Sequence, residues 1–93
     1  MVGQIGTGTF TLENEVFIIP SGARNIDLNN SGAAIGKFKG NQTITSADGS
    51  SSKEPTFVNL AVKEAYSFAI AEKPYGDITI DATGTKIEVS VNY

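Results

Sequence analysis

The sequence predicts an all-β fold: a small antiparallel β-sandwich, or a jelly-roll-like barrel of short strands. Three observations predict it. Apolar and polar residues alternate with period two in several stretches, most clearly Asp77-Ile78-Thr79-Ile80-Asp81 and Lys86-Ile87-Glu88-Val89-Ser90-Val91-Asn92. Clusters of Gly, Pro, Asn and Ser interrupt these stretches at near-regular intervals, which is turn chemistry. The chain has 93 residues and no Cys, so it has room for one core and no disulfide to supplement it. Residues 1–93 are therefore read as a single β domain.

Residues 1–8 are rich in Gly and Thr, with only Val2 and Ile5 apolar, and read as an N-terminal docking arm or a frayed terminus. Thr9-Phe10-Thr11-Leu12 alternates as a first strand. Glu15-Val16-Phe17-Ile18-Ile19 reads as a short buried run, closed by Pro20-Ser21-Gly22, where Pro sets φ and Gly accepts a positive one. Arg24 to Leu28 alternates again and stops at the turn Asn29-Asn30-Ser31-Gly32. Ala34 to Lys39 and Gln42 to Thr45 are expected to pair across Gly40-Asn41, and Ala47 to Pro55 is an exposed loop by composition.

Phe57 to Ala71 supports two readings. Val58, Ala61, Val62, Ala65, Phe68 and Ala69 share one helical face, and Ala, Lys and Glu favour helix. Alternatively, Phe57–Val62 and Tyr66–Ile70 are strands joined around Lys63-Glu64-Ala65. The period-two placement of Tyr66, Phe68 and Ile70 favours strands. At the end of the chain, Asp77–Asp81 and Lys86–Asn92 flank Ala82-Thr83-Gly84-Thr85. This reads as a β-hairpin with Ile78 and Ile80 beside Ile87, Val89 and Val91 on one buried face.

Composition narrows the function. The chain has no His, Cys or Trp, and so lacks the commonest general base, the commonest metal ligand and any thiol nucleophile. Ser–Lys pairs exist, but no spacing singles one out. The net charge is −3 and the densest basic pair is Lys37 and Lys39, so nucleic-acid binding lacks its electrostatic footprint. The longest aliphatic and aromatic run, Val16 to Ile19, is far too short to cross a bilayer. Met1 to Ile5 carries no Lys or Arg and no apolar stretch follows it, so no secretory signal is expected.

Individual motifs favour structural readings. Ser31 to Phe38 superficially suggests a phosphate-binding loop, but the glycines are too close and Phe38 occupies the position of the Mg²⁺-binding hydroxyl. Asp27-Leu28-Asn29-Asn30-Ser31-Gly32 matches the first half of a calcium loop, whose closing Glu would fall on Phe38. Asp77 with Asp81, and Glu13 with Glu15, are spaced to share the outer, solvated face of a strand, away from any pocket that raises a carboxyl pKa. The sequons at Asn29 and Asn41 matter only in a eukaryotic secretory setting. Tyr66, Tyr75 and Tyr93 suggest a sugar-stacking platform, but with no Trp and with Tyr93 at the terminus they read as edge or core residues. No catalytic, cofactor-binding or metal-binding residue is assigned, no cofactor is expected, and the chain is read as a non-enzyme.

One longer pattern carries a resemblance. Val16-Phe17-Ile18-Ile19-Pro20-Ser21-Gly22-Ala23-Arg24-Asn25-Ile26-Asp27-Leu28-Asn29-Asn30-Ser31-Gly32 is an apolar run, a Pro-x-Gly-Ala-Arg turn, an alternating strand and a small polar turn. The polar loop Asp48-Gly49-Ser50-Ser51-Ser52 follows. The chain then closes on Ile78-Thr79-Ile80 and Ile87-Glu88-Val89-Ser90-Val91-Asn92-Tyr93. In outline this resembles small accessory structural proteins of tailed bacteriophages, those that decorate or cement a capsid or complete the head–tail junction. The resemblance implies a virion protein whose partners are the major capsid protein or head–tail proteins. It also implies a homo-oligomer, with a trimer favoured, and neither nucleic acid nor membrane as partner. The alternative is a carbohydrate- or surface-binding β-sandwich module of a larger extracellular protein, marked by an exposed aromatic pair on one sheet face. A weak metal-dependent hydrolase built on Asp and Glu is a further alternative.

Overall fold

The computed structural model describes residues 8–68 and 76–93. Its strands are β1 (Gly8–Glu13), β2 (Val16–Ile19), β3 (Asn25–Asn30), β4 (Gly36–Gly40), β5 (Ile44–Thr45), β6 (Ser52–Lys53), β7 (Val58–Leu60), β8 (Ala65–Phe68), β9 (Ile78–Asp81) and β10 (Lys86–Asn92). They form an all-β sandwich of two four-stranded antiparallel sheets, ordered β1-β10-β3-β8 and β2-β9-β4-β7, with β5 and β6 as a separate two-stranded ribbon. Among the described residues the sheets share no strand pairing, so the sandwich is open at its sides and is not a closed barrel.

The wiring has a simple logic. β1, β2, β3 and β4 pair antiparallel with β10, β9, β8 and β7 respectively, as if the chain were one long hairpin with the β5–β6 ribbon at its tip. Rolling that hairpin places successive strands on alternate sheets, and the β10–β3 and β9–β4 pairings then complete each sheet. Period-two alternation supplies the core: Leu12, Ile26, Leu28, Ile87, Val89 and Val91 from one sheet meet Ile19, Phe38, Leu60, Ile78 and Ile80 from the other. These side chains interdigitate without a buried unpartnered side-chain polar atom among the described residues.

Several expectations change in this light. β9 and β10 are strands with the predicted alternation, but they do not form a hairpin, because each lies in a different sheet. Ile78 and Ile80 do bury against Ile87, Val89 and Val91, from across the core rather than beside them. Alternation records which residues face the core and is silent about which strand supplies the hydrogen bonds. Gln42–Thr45 does not pair with β4. Asn41 instead extends the ladder to β9, its N–H donating to the Asp77 carbonyl at 3.0 Å, while the Thr79 hydroxyl donates to Asn41 Oδ1 at 3.0 Å. Ile44–Thr45 pairs with Ser52–Lys53, so the exposed loop expected at Ala47–Pro55 carries the second strand of a short hairpin. Phe57–Phe68 is strand–turn–strand and contains no helix. β7 and β8 belong to opposite sheets, joined by a turn in which Lys63 has φ 65°. Residues 69–71 of that expectation, and residues 1–7 of the proposed arm, lie outside the described residues.

The end of the sandwich that carries the β1–β2, β3–β4, β7–β8 and β9–β10 connections is tied together by buried polar groups. Asn30, fully buried at the end of β3, donates from Nδ2 to the carbonyls of Ala34 and Leu60 at 2.8 and 2.9 Å. Its Oδ1 accepts from the Gly32 N–H and the Thr85 hydroxyl at 3.0 and 2.9 Å. Its main chain bonds to Lys63 and Glu64. One side chain thus uses its full hydrogen-bonding capacity to pin three connections. Gly32 is required there because a Cβ would collide with the Thr85 hydroxyl and the Lys86 backbone nitrogen.

Candidate docking surface

The side of the sandwich formed by β1 and β2 leaves apolar side chains and main-chain groups uncovered among the described residues. Both are edge strands. Phe10 on β1 shares a face with buried Leu12, and Phe17 on β2 shares a face with buried Ile19, so both rings point between the sheets. No further strand covers them among the described residues. Phe17 remains 39% exposed and meets Phe10 edge-on, with ring centroids 5.3 Å apart. Val16 and Ile18 face outward and are 55% and 53% exposed. The expectation that Glu15–Ile19 is a buried run is therefore corrected. Only Ile19 is buried, because β2 ends its sheet instead of lying inside it. Beside the two rings an apolar cleft of about 210 Å³ opens between the sheets, lined by Phe10, Phe17, Ile19, Pro20, Val91 and Tyr93.

Main-chain groups add to this surface. The Ala82 N–H donates to the Glu15 carbonyl, in register with the β2–β9 pairing. Hydrogen-bonded pairs alternate along an antiparallel ladder, so Phe17 and Ile19 also turn their N–H and C=O groups toward β9. Val16 and Ile18 turn theirs outward. An uncharged, apolar edge strand with unpaired main-chain groups is the arrangement that edge-protecting devices normally remove.

The opposite side also ends in two edge strands, β7 and β8, and leaves Val58 and Tyr66 51% and 44% exposed, but it carries charge and a larger ring cluster. The rings of Phe38, Tyr66 and Phe68 pack with centroids 4.8 to 5.6 Å apart. The ammonium groups of Lys37 and Lys39 lie over the Phe57 ring at 4.9 and 5.3 Å, which combines cation–π attraction with a charged fringe.

The residues singled out in the sequence are dispersed. Asp27 and Asn29 lie on the outward face of β3, which is regular strand, so the partial calcium loop does not curl around a centre. Among the described residues no three acidic side chains are grouped to hold a metal ion. Glu13 and Glu15 straddle the β1–β2 connection at Asn14, whose φ is 51°, and so do not share one strand as expected. Asp77 accepts a hydrogen bond from the Ser21 N–H at 2.7 Å. Asp81 is held below the usual carboxylate range, chiefly by the Thr83 hydroxyl and N–H, with a smaller contribution from Lys37 at 3.9 Å. Ser31 to Phe38 is a connection leading into β4. Tyr66 packs at the β8 edge, Tyr93 donates to the Pro20 carbonyl beside β2 at 2.7 Å, and Tyr75 lies outside the described residues. No exposed aromatic pair occupies an outer sheet face among the described residues. A shallow concavity of about 580 Å³ is a dish on the outer face of the β1-β10-β3-β8 sheet, bordered by Thr9, Thr11, Asp27, Asn29, Glu88 and Ser90.

Comparison with protein-family models, with curated proteins and with solved structures found no match. Sequence reasoning missed Phe10, Val16, Phe17 and Ile18 as surface residues, since an apolar run reads identically in a central strand and in an uncovered edge.

Proposed function

We propose that this chain is a non-enzymatic building block of a larger protein assembly, joined through the open β1/β2 side, and that the assembly is the virion of a tailed bacteriophage. The observation that carries the assembly reading is the coincidence of Phe10, Phe17, Val16 and Ile18 on one side with the uncharged strand β2, whose outward main-chain groups have no partner among the described residues. Aromatic anchors surrounded by open backbone donors and acceptors suit strand addition and protein–protein contact. The virion assignment is supported by the resemblance of Val16–Gly32 and of the closing strands to small accessory phage proteins. It is supported also by the strand order. With the β5–β6 ribbon set aside, the sheets run first-eighth-third-sixth and second-seventh-fourth-fifth. That is the order of a jelly roll, an architecture that recurs in viral capsid domains; this support is analogy at the level of fold.

The test is incorporation. Tagged chain is expressed during growth of the phage or prophage that encodes it, and particles are purified by density gradient. The expected result is co-purification at a fixed ratio to the major capsid protein, lost on Phe17→Asp. Particles free of the chain under conditions where it is folded and abundant would refute the virion assignment.

A further inference from the structure

We propose that the open edge of β2 is occupied by β2 of a second copy, forming a two-fold dimer in which Phe17 lies on the symmetry axis. The inference deepens the assembly reading and rests on its premise that this side is an interface. It adds the identity of the first neighbour.

The parity of the ladder selects the register. Val16 and Ile18 present their N–H and C=O groups to the open edge, because the Glu15–Ala82 bond commits Phe17 and Ile19 to β9. A two-fold axis perpendicular to the sheet brings a second β2 alongside in antiparallel orientation. When the axis passes through Phe17, Val16 stands opposite the second copy's Ile18, and Ile18 opposite its Val16. Both are then hydrogen-bonded pairs that exchange N–H and C=O in each direction. All outward main-chain groups of the strand are satisfied, and every side chain keeps its face. Centring the axis on Ile18 instead sets Val16 against Pro20, which has no N–H to give. The strand is thus self-complementary in one register, the condition that an isologous contact demands.

Side chains agree with that register. Phe17 meets its own copy in a non-hydrogen-bonded pair, the closer of the two pair types, at a Cα separation of about 4.5 Å. Phe10, already edge-on to Phe17, closes over the pair from the other sheet. The two half-open cores become one. Outside, Val16 and Ile18 from both copies form an apolar strip. Electrostatics does not oppose the contact, because β2 carries no charge. In this register the two Glu15 carboxylates stand about 14 Å apart along the paired strands, beyond the roughly 8 Å screening length.

The absence of Cys makes the register directly testable. Phe17→Cys, Val16→Cys and Ile18→Cys are each oxidised in the full chain and run under non-reducing conditions. Phe17→Cys should give a covalent dimer, since about 4.5 Å lies within the disulfide range. Val16→Cys and Ile18→Cys should not, because like residues there are separated by about 8 Å, past the roughly 7 Å limit. In parallel, sedimentation equilibrium should show a monomer–dimer equilibrium that Ile18→Pro weakens about 100-fold or more, by removing an outward N–H that β9 does not use. Wild-type chain that stays monomeric to millimolar concentration overturns the proposal, and so does a trimer or preferential crosslinking through Ile18→Cys. A dimer retained in Ile18→Pro but lost on removing residues 1–7 would also overturn it, assigning the edge to the N-terminal segment. Particle incorporation separates the two readings. A chain that enters virions as a monomer sinks the dimer and leaves the assembly role, whereas a crosslinked dimer excluded from virions does the reverse.

Discussion

The crossover end around Asn30 and the open side at β2 invert each other's chemistry. At Asn30 a polar side chain is fully buried and every hydrogen-bonding atom has a partner within the chain. At β2, apolar side chains and main-chain donors are left in water. Both arrangements are costly unless compensated, and only the first is compensated internally. The difference separates what the chain completes by itself from what, on the proposed reading, it leaves for a neighbour. Folding should therefore depend steeply on the Asn30 end, and association on the β2 side.

The strongest way to break that division is Asn30→Leu. The substitution keeps volume but takes the Asn30 donor from the Ala34 and Leu60 carbonyls and the acceptor from the Thr85 hydroxyl, while the Gly32 N–H keeps its bond to the Lys86 carbonyl. We expect a loss of about 3–4 kcal/mol in urea unfolding, a large part of the stability of a domain this small. Thr85→Val removes only the hydroxyl that bridges Asn30 and the Ala34 N–H, and should cost about 1–2 kcal/mol. Near-equal costs for the two substitutions would mean that Asn30 acts through Thr85 alone.

Adjacent residues of β2 sharpen the same contrast. Ile19 is buried and Ile18 is not, although the two are identical neighbours in one apolar run. Ile19→Ala should cost about 2–4 kcal/mol of unfolding free energy through lost burial and a cavity. Ile18→Ala should change it by less than about 1 kcal/mol in the monomer, while weakening self-association. Measuring unfolding at several protein concentrations separates the terms, because only an associating chain gains stability on concentration. An Ile18→Ala cost as large as that of Ile19→Ala in dilute solution would show that the edge is covered within the monomer.

Much of the fold was legible in the sequence, for reasons these residues make plain. Ile26 and Leu28, or Ile87, Val89 and Val91, alternate because one face of each strand is buried, and period two reveals strand and face together. The pairing was not legible. Ala82-Thr83-Gly84-Thr85 looks like a hairpin turn, yet it carries the chain from one sheet to the other, and burial of Ile78 beside Ile87 or across from it leaves the same pattern. The strand reading of Phe57–Phe68 succeeded where alternation was clear, and the strands' membership of opposite sheets again escaped it. For the docking surface, Val16 to Ile19 showed its apolarity but not its position at an edge, which depends on β9 having β2 on one side and β4 on the other. Asn30 read as turn chemistry because Asn before Ser-Gly usually is. Its burial follows from three connections that are distant in sequence and converge only in the fold.

The smallest expected effect lies at the tip of the β5–β6 ribbon, which is pinned by polar bonds like the Asn30 end but stands in full solvent. Asp48 Oδ1 accepts from the Ser46 hydroxyl at 2.7 Å, the Ser50 N–H at 3.0 Å and the Ser50 hydroxyl at 2.8 Å. These donors, the Ser50 N–H foremost, hold its carboxyl down to about 2 from an ordinary 3.8. A depressed carboxylate stabilises the folded turn fully above pH 3.8, and that contribution disappears as pH falls toward 2. The Ser50 and Gly49 amide resonances should therefore titrate with a midpoint near 2 while those of the sandwich core stay fixed. Asp48→Asn should abolish the titration without moving the unfolding midpoint at neutral pH. A Ser50 midpoint at 3.8 would show that the serine donors do not hold the carboxylate. Core resonances that move in the wild type and stop moving in Asp48→Asn would show that the ribbon is coupled to the sandwich. The turn would then belong with the pinned end rather than stand apart from it.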